Sequence, residues 1–151
     1  TRDNPLSVRF IEEMPFNGQG HTFSGINWNY QKILAAIGEV YALQKIADAP
    51  HSTSLNHHLP GHKVNVGVIP AYSRTFCGTC NRLRIAATGS MKTCLYGNDV
   101  LNVKEMMRDE LQSHQLLPAI QNAIHARFAN GFEAERHHTA KNMESMSVIG
   151  G

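Results

Sequence analysis

The three cysteines of this chain, Cys77, Cys80 and Cys94, fall within one short stretch. Cys77 and Cys80 bracket Gly78 and Thr79, thirteen residues separate Cys80 from Cys94, and Arg82 and Arg84 stand directly behind the pair. A Cys-x-x-Cys turn lets two thiolates converge on one metal centre. The third cysteine makes three donors, and the odd number matters. A structural tetrahedral zinc takes four protein ligands, whereas three leave one position open for water or substrate. A four-iron cluster is normally held by four cysteines, so three leave one iron free. Arginines beside an open position suit an anion, because the guanidinium fork matches phosphate and carboxylate. Spacing alone leaves zinc and an iron–sulfur cluster both open, since nine histidines are available as a fourth zinc ligand. The strand–motif–helix context of a thioredoxin-like redox pair is missing. Arg82 and Arg84 are also accounted for as solvated residues of an edge strand.

The elements that must position these residues come from a chain of 151 residues, enough for one domain with a real core. With 42% apolar residues, 17% charged residues and a net charge of +2, the composition is that of an ordinary globular chain. The near balance of charge gives no argument for nucleic acid or membrane as a partner. No apolar run approaches the ~18 residues that span a bilayer. Three cysteines without an even pattern speak against a secreted disulfide scaffold and for a reducing, cytoplasmic compartment. The chain starts at Thr1 and reaches a strand-like run at once, which reads as a processed protein or a fragment of a longer one.

Residues 7–14 read as a buried strand built on Val8, Phe10 and Ile11 and ended by Pro15. Arg9 and Glu12 on that strand need a partner, either each other or a polar cavity. Residues 16–29 read as a loop, in which Gly18 and Gly20 make only half of a phosphate-loop pattern. Tyr30, Ile33, Leu34, Ile37 and Tyr41 predict a helix over 30–47. Residues 50–61 read as a polar connection with His57 and His58 on the surface. Val64, Val66 and Val68 predict a strand ending at Pro70. Residues 81–94 predict a hairpin, and a turn centred on Gly89 would set Cys94 across from Arg84. Asn102 and Glu105 predict a helix start before Val103, Met106, Met107 and Leu111. Pro118 fits the first turn of a further helix bearing Ile120, Ile124 and Phe128, with Asn130 and Gly131 as its stop. The last twenty residues read as polar, with His137 and His138 on the surface. The fold class is α/β to α+β.

Four runs occur in order: Val8-Arg-Phe-Ile-Glu-Glu-Met-Pro-Phe16, Phe76-Cys-Gly-Thr-Cys-Asn-Arg-Leu-Arg84, Cys94-Leu-Tyr-Gly97 and Ile149-Gly-Gly151. Together they closely resemble the C-terminal part of the radical SAM GTP 3′,8-cyclases of molybdenum cofactor biosynthesis (the MoaA family). The resemblance implies the C-terminal portion of an incomplete TIM-type barrel, with an antiparallel hairpin and C-terminal helices. It implies that residues 1–151 are one C-terminal domain, with the radical SAM part of the enzyme as its partner. It implies a 4Fe–4S cluster on Cys77, Cys80 and Cys94, and GTP as substrate on Arg82, Leu83 and Arg84. It places Met14 at S-adenosyl-L-methionine, and Arg9, Gly150 and Gly151 at the catalytic centre. The Cys-x-x-x-Cys-x-x-Cys motif of the family is absent from this chain, so the chain alone is expected to be inactive. The rival class is a zinc-ribbon-like binding module with its arginines on nucleic acid or a protein. A sulfur carrier ending in Gly-Gly leaves the cysteines unexplained. Apolar strand edges left open make a homodimer a further expectation.

Overall fold

The computed structural model describes residues 3–16, 25–63, 65–139 and 144–149. They divide into two units. One holds the described residues of Thr1–Met14 and Phe23–Cys80, the other those of Pro15–Thr22 and Asn81–Gly151.

The first unit is a four-stranded mixed sheet with one helix. Its elements are β1 (Ser7–Ile11), α1 (Tyr30–Gly38), β2 (Gln44–Lys45), β3 (Leu55–His58) and β4 (Asn65–Ile69). The strand order is β1-β4-β3-β2, with β1 parallel to β4 and the other pairs antiparallel. Alternation along the strands sorts the residues into two faces. Val8 and Phe10 pair with the buried Val66 and Val68. On that face Leu59 and Val66 form a small core that receives Ile37 of α1 and Leu43. Arg9, opposite Gly67, belongs to the other face.

Three expectations change here. The first strand ends at Ile11 and is exposed rather than buried, with Val8, Phe10 and Ile11 at 38%, 41% and 58%. It is the sheet edge, and β4 is its one strand partner among the described residues. The helix expected to reach residue 47 stops at Gly38. The Glu39 N–H closes it on the Ala35 carbonyl at 3.0 Å, and Val40 and Tyr41 both fold back onto the Ile37 carbonyl. A glycine is a poor interior helix residue, and the residues beyond enter the sheet as β2 instead. The polar connection over 50–61 contains β3, a central strand. Its polar residues hide the pattern: Asn56 is satisfied by Asp48, and His57 is buried between Lys45 of β2 and Val66 of β4. Val64 and the pair Gly18 and Gly20 lie outside the described residues.

The second unit carries a three-stranded antiparallel sheet, β5 (Arg84–Ile85), β6 (Ser90–Lys92) and β7 (Leu101–Asn102), and four short helices. The helices are α2 (Val103–Arg108), α3 (Leu116–His125), α4 (Gly131–Arg136) and α5 (Met146–Ile149). The hairpin is present, but its register differs from the expected one. Arg84 pairs with Lys92 and Ile85 with Met91, so the turn centres on Thr88 and Cys94 is not across from Arg84. Gly89 cannot be replaced there. Its φ is +94°, and a Cβ on it would lie 2.3 Å from Lys104 Cβ and 2.7 Å from Asn102 Oδ1. Asn102 caps α2 as expected, accepting from the Glu105 N–H at 3.1 Å. α2 then ends early, because the Asp109 carboxylate captures Leu111 N–H and Gln112 Nε2. Met107 and Leu111 are left exposed. Pro118 sits in the first turn of α3 as expected. Asn130 is a start and not a stop: its side chain accepts from Glu133 N–H and begins α4. Glu133 Oε2 accepts in return from Ala129 N–H.

One buried charge organises the first unit. Glu12 is 1% exposed, and its carboxylate accepts from Tyr30 N–H at 2.7 Å, Ser73 N–H at 2.7 Å and Ser73 Oγ–H at 2.8 Å. Glu12 follows the end of β1, Tyr30 opens α1, and Ser73 lies in the turn after β4. Of the two partners open from sequence, another charge or a polar setting, the structure gives the second: backbone amides and a hydroxyl. Removing the acceptor strands three donors. We expect Glu12→Ala to lose about 2–4 kcal/mol of stability, read from urea unfolding.

Candidate functional site

The chain from Pro70 to Cys80 winds through successive tight turns. Arg74 N–H donates to the Pro70 carbonyl at 2.7 Å, Cys77 N–H to Arg74 at 3.2 Å and Cys80 N–H to Cys77 at 3.3 Å. The last closes a 3-10 turn over Cys77–Thr79. Cys77 opens this turn and Cys80 caps it with extended backbone. Both are half-buried, as is Cys94, and none of the three forms a disulfide.

Two non-glycine residues among those described have left-handed φ, His51 at +60° and Arg74 at +55°. Both hold this turn. Arg74 is buried, lies 5.8 Å from the Tyr72 ring centroid, and gives its carbonyl to Cys77. His51 Nδ1 lies 2.6 Å from the Thr79 carbonyl. A carbonyl only accepts, so Nδ1 carries the hydrogen and donates. Backbone strain of this kind persists where its surroundings over-determine it.

Arg9 and Met14 belong to the same unit. Met14 is half-buried just beyond Glu12, and Arg9 is exposed on the face it shares with Gly67. Gly67 makes room there. A Cβ on it would lie 2.3 Å from Ser54 Oγ, 2.9 Å from Asn56 Oδ1 and 3.6 Å from Arg9 Cγ. Behind these groups Asp48 Oδ1 accepts from Asn56 N–H and Nδ2–H at 2.9 Å, and Oδ2 meets Lys45 Nζ at 2.7 Å. Burial pushes the Asp48 carboxyl up, but the Lys45 ammonium and the two Asn56 donors outweigh it and hold it below the usual range.

The second unit holds Arg82, Leu83, Arg84 and Cys94. Arg82 and Leu83 are exposed and precede the ladder that begins at Arg84, which is half-buried. Cys94 opens a turn closed by Gly97 N–H on its carbonyl at 3.1 Å. Tyr96, within that turn, is buried with its ring 5.0 Å from Phe16. Gly150 and Gly151 lie outside the described residues. Among the described residues no three His, Cys, Asp or Glu side chains form a metal-holding group. The donor chemistry of the Cys77–Cys80 turn nonetheless suits a thiophilic metal: two thiols three residues apart, neither in a disulfide. Among the described residues no helix is long and apolar enough to cross a membrane. His51, Arg74 and Lys92 escaped the sequence reading. His51 lies far from the motif in sequence, and nothing marks a residue for left-handed backbone unless it is glycine or asparagine.

A mixed fold with a cysteine turn followed by two arginines defines a class, and comparison with known proteins places the chain in it. The family Molybdenum Cofactor Synthesis C matches residues 6–132, and the chain belongs to this family. It is 40% identical over 129 residues to Molybdenum cofactor biosynthesis protein 1 of Dictyostelium discoideum, covering 82% of this chain and 20% of that protein. It is 41% identical over 119 residues to the Drosophila melanogaster protein of the same name, covering 78% and 21%. It is 32% identical over 152 residues to GTP 3′,8-cyclase of Chlorobaculum tepidum, covering 100% and 45%. The chain thus spans from a fifth to less than half of the length of these relatives.

The Asp48 network yields a pH test. A carboxyl depressed in the native state contributes fully above its unfolded value of about 3.9 and loses that contribution as pH falls through the native value. We expect Asp48→Asn to cost about 1 kcal/mol at pH 7, the pair being partly exposed. The gap to wild type should close below about pH 4 in thermal unfolding scans.

Proposed function

We propose that this chain is the C-terminal part of a GTP 3′,8-cyclase, acting in the cytoplasm together with an N-terminal radical SAM part. In this reading it is the portion of an incomplete TIM-type barrel that carries the second cluster and the substrate. The observation that supports it most is the 3-10 turn bearing Cys77 and Cys80 with Arg82 and Arg84 behind it, in a chain of the Molybdenum Cofactor Synthesis C family. A relative of that chain is named GTP 3′,8-cyclase.

In this reading Cys77, Cys80 and Cys94 hold a 4Fe–4S cluster. When bound, that cluster supplies an iron with an open position for the base of GTP. The work of the protein groups is binding and placement. Arg82 and Arg84 take the triphosphate, for which a planar fork of donors is suited, and Leu83 packs beside it. Arg9, on a face where Gly67 leaves space, serves the reacting centre. Met14 contacts S-adenosyl-L-methionine held by the N-terminal part. Gly150 and Gly151 act in catalysis, since residues without side chains enter a crowded site. The exposed edge of β1 supports pairing of two copies when the chain is handled alone.

The test uses the full-length enzyme, reconstituted anaerobically. Iron and sulfide should exceed one cluster per chain, and Cys94→Ser should remove the excess. Stoichiometric zinc in place of iron would overturn the reading. With the cluster intact, Arg82→Ala or Arg84→Ala should weaken GTP binding by ~1.5–3 kcal/mol, measured by calorimetry. Deleting Gly150 and Gly151 should abolish cyclised product while leaving iron content and Tm unchanged.

A further inference from the structure

Lys92 lies on β6, two residues before Cys94, with only 7% of its side chain exposed. A buried ammonium is unfavourable unless its hydrogens are all taken up. Lys92 has three acceptors for three hydrogens: the Gly97 carbonyl at 3.1 Å, Asp99 Oδ1 at 3.1 Å and Glu144 Oε2 at 3.2 Å. They belong to two separate segments. Gly97 closes the turn that Cys94 opens, and Asp99 follows it. Glu144 stands at the root of the C-terminal tail. That root has further holds within the same unit: Met146 N–H donates to the Phe16 carbonyl at 3.2 Å, and Ile149 is 2% exposed. The pinned stretch ends one residue before Gly150.

We propose that Lys92 is a positioning residue. Its ammonium fixes the tail root, residues 144–149, relative to the turn over residues 94–97. Ile149, the residue that precedes the two terminal glycines, is thereby held at a defined point relative to the turn that Cys94 opens. This rests on the reading above, in which Cys94 is a ligand and the terminal glycines act in catalysis.

Glu144→Ala in the full-length enzyme cuts only the tail side of the link, because Gly97 and Asp99 still hold the ammonium. Iron content and KM for GTP should stay at wild-type values, while kcat falls by about ten- to a hundredfold, as expected for misplaced catalytic groups. Carboxypeptidase trimming followed by mass spectrometry should run past Ile149 faster than in wild type. Glu144→Asp should restore part of both. In a Lys92→Met background the same Glu144→Ala change should add no further loss in kcat, since the shared link is already gone. Unchanged kcat and trimming in Glu144→Ala, with the Gly150–Gly151 deletion inactive, would overturn this inference and leave the role of the glycines intact. Loss of iron in step with kcat would also overturn it, since Lys92 would then only hold the fold. An active deletion variant would remove the catalytic role of the glycines and this inference with it.

Discussion

A buried carboxylate held by backbone amides and a hydroxyl is the constraint on which the first unit rests. Glu12 takes its three hydrogen bonds from two backbone amides and one hydroxyl. Such donors cannot be exchanged for water without opening the structure, so the end of β1, the start of α1 and the turn after β4 stay together. The Tyr30 amide lies at the N-terminus of α1, where unpaired N–H groups and the helix dipole favour an anion. The turn fixed through Ser73 runs directly into Arg74 and the cysteine pair. Placement of Cys77 and Cys80 therefore begins with an acid more than sixty positions earlier.

The second unit uses the opposite charge in the same way. Lys92 draws acceptors from a turn and from the tail root, and its hydrogen-bonding capacity is filled. Removing either charge leaves its buried partners unsatisfied, which is costly. What a charge adds is selectivity: only one arrangement satisfies every donor and acceptor.

Residue type and spacing made the chemistry legible. A Cys-x-x-Cys pair with two arginines behind it marks a candidate metal and anion site without coordinates, and the valines of β1 and β4 state their strands. Asn102 was readable as a cap because its partner Glu105 is three residues on. What escaped depends on contacts distant in sequence. β3 looks like a loop until Asp48 satisfies Asn56. The hairpin register depended on whether the turn centred on Thr88 or Gly89, and one residue of turn shifts the pairing by two. Asn130 was misread because asparagine serves both helix ends, accepting an amide at the start and tolerating left-handed backbone at the stop. The left-handed backbone of His51 and Arg74 has no local signature at all.

The parallel pairing of β1 with β4 has a consequence for the order of events on the ribosome. β4 emerges roughly 60 residues after β1, which at ordinary elongation rates is about 3–12 seconds. Through that interval Val8, Phe10 and Ile11 lack the strand that finally flanks them. An antiparallel hairpin such as β5–β6 closes almost as soon as it is made, whereas β1 must wait for α1, β2 and β3 to pass. Among the described strands of this sheet, β1 waits longest for its partner, and its exposed apolar side chains make it the natural target for chaperone cover during synthesis.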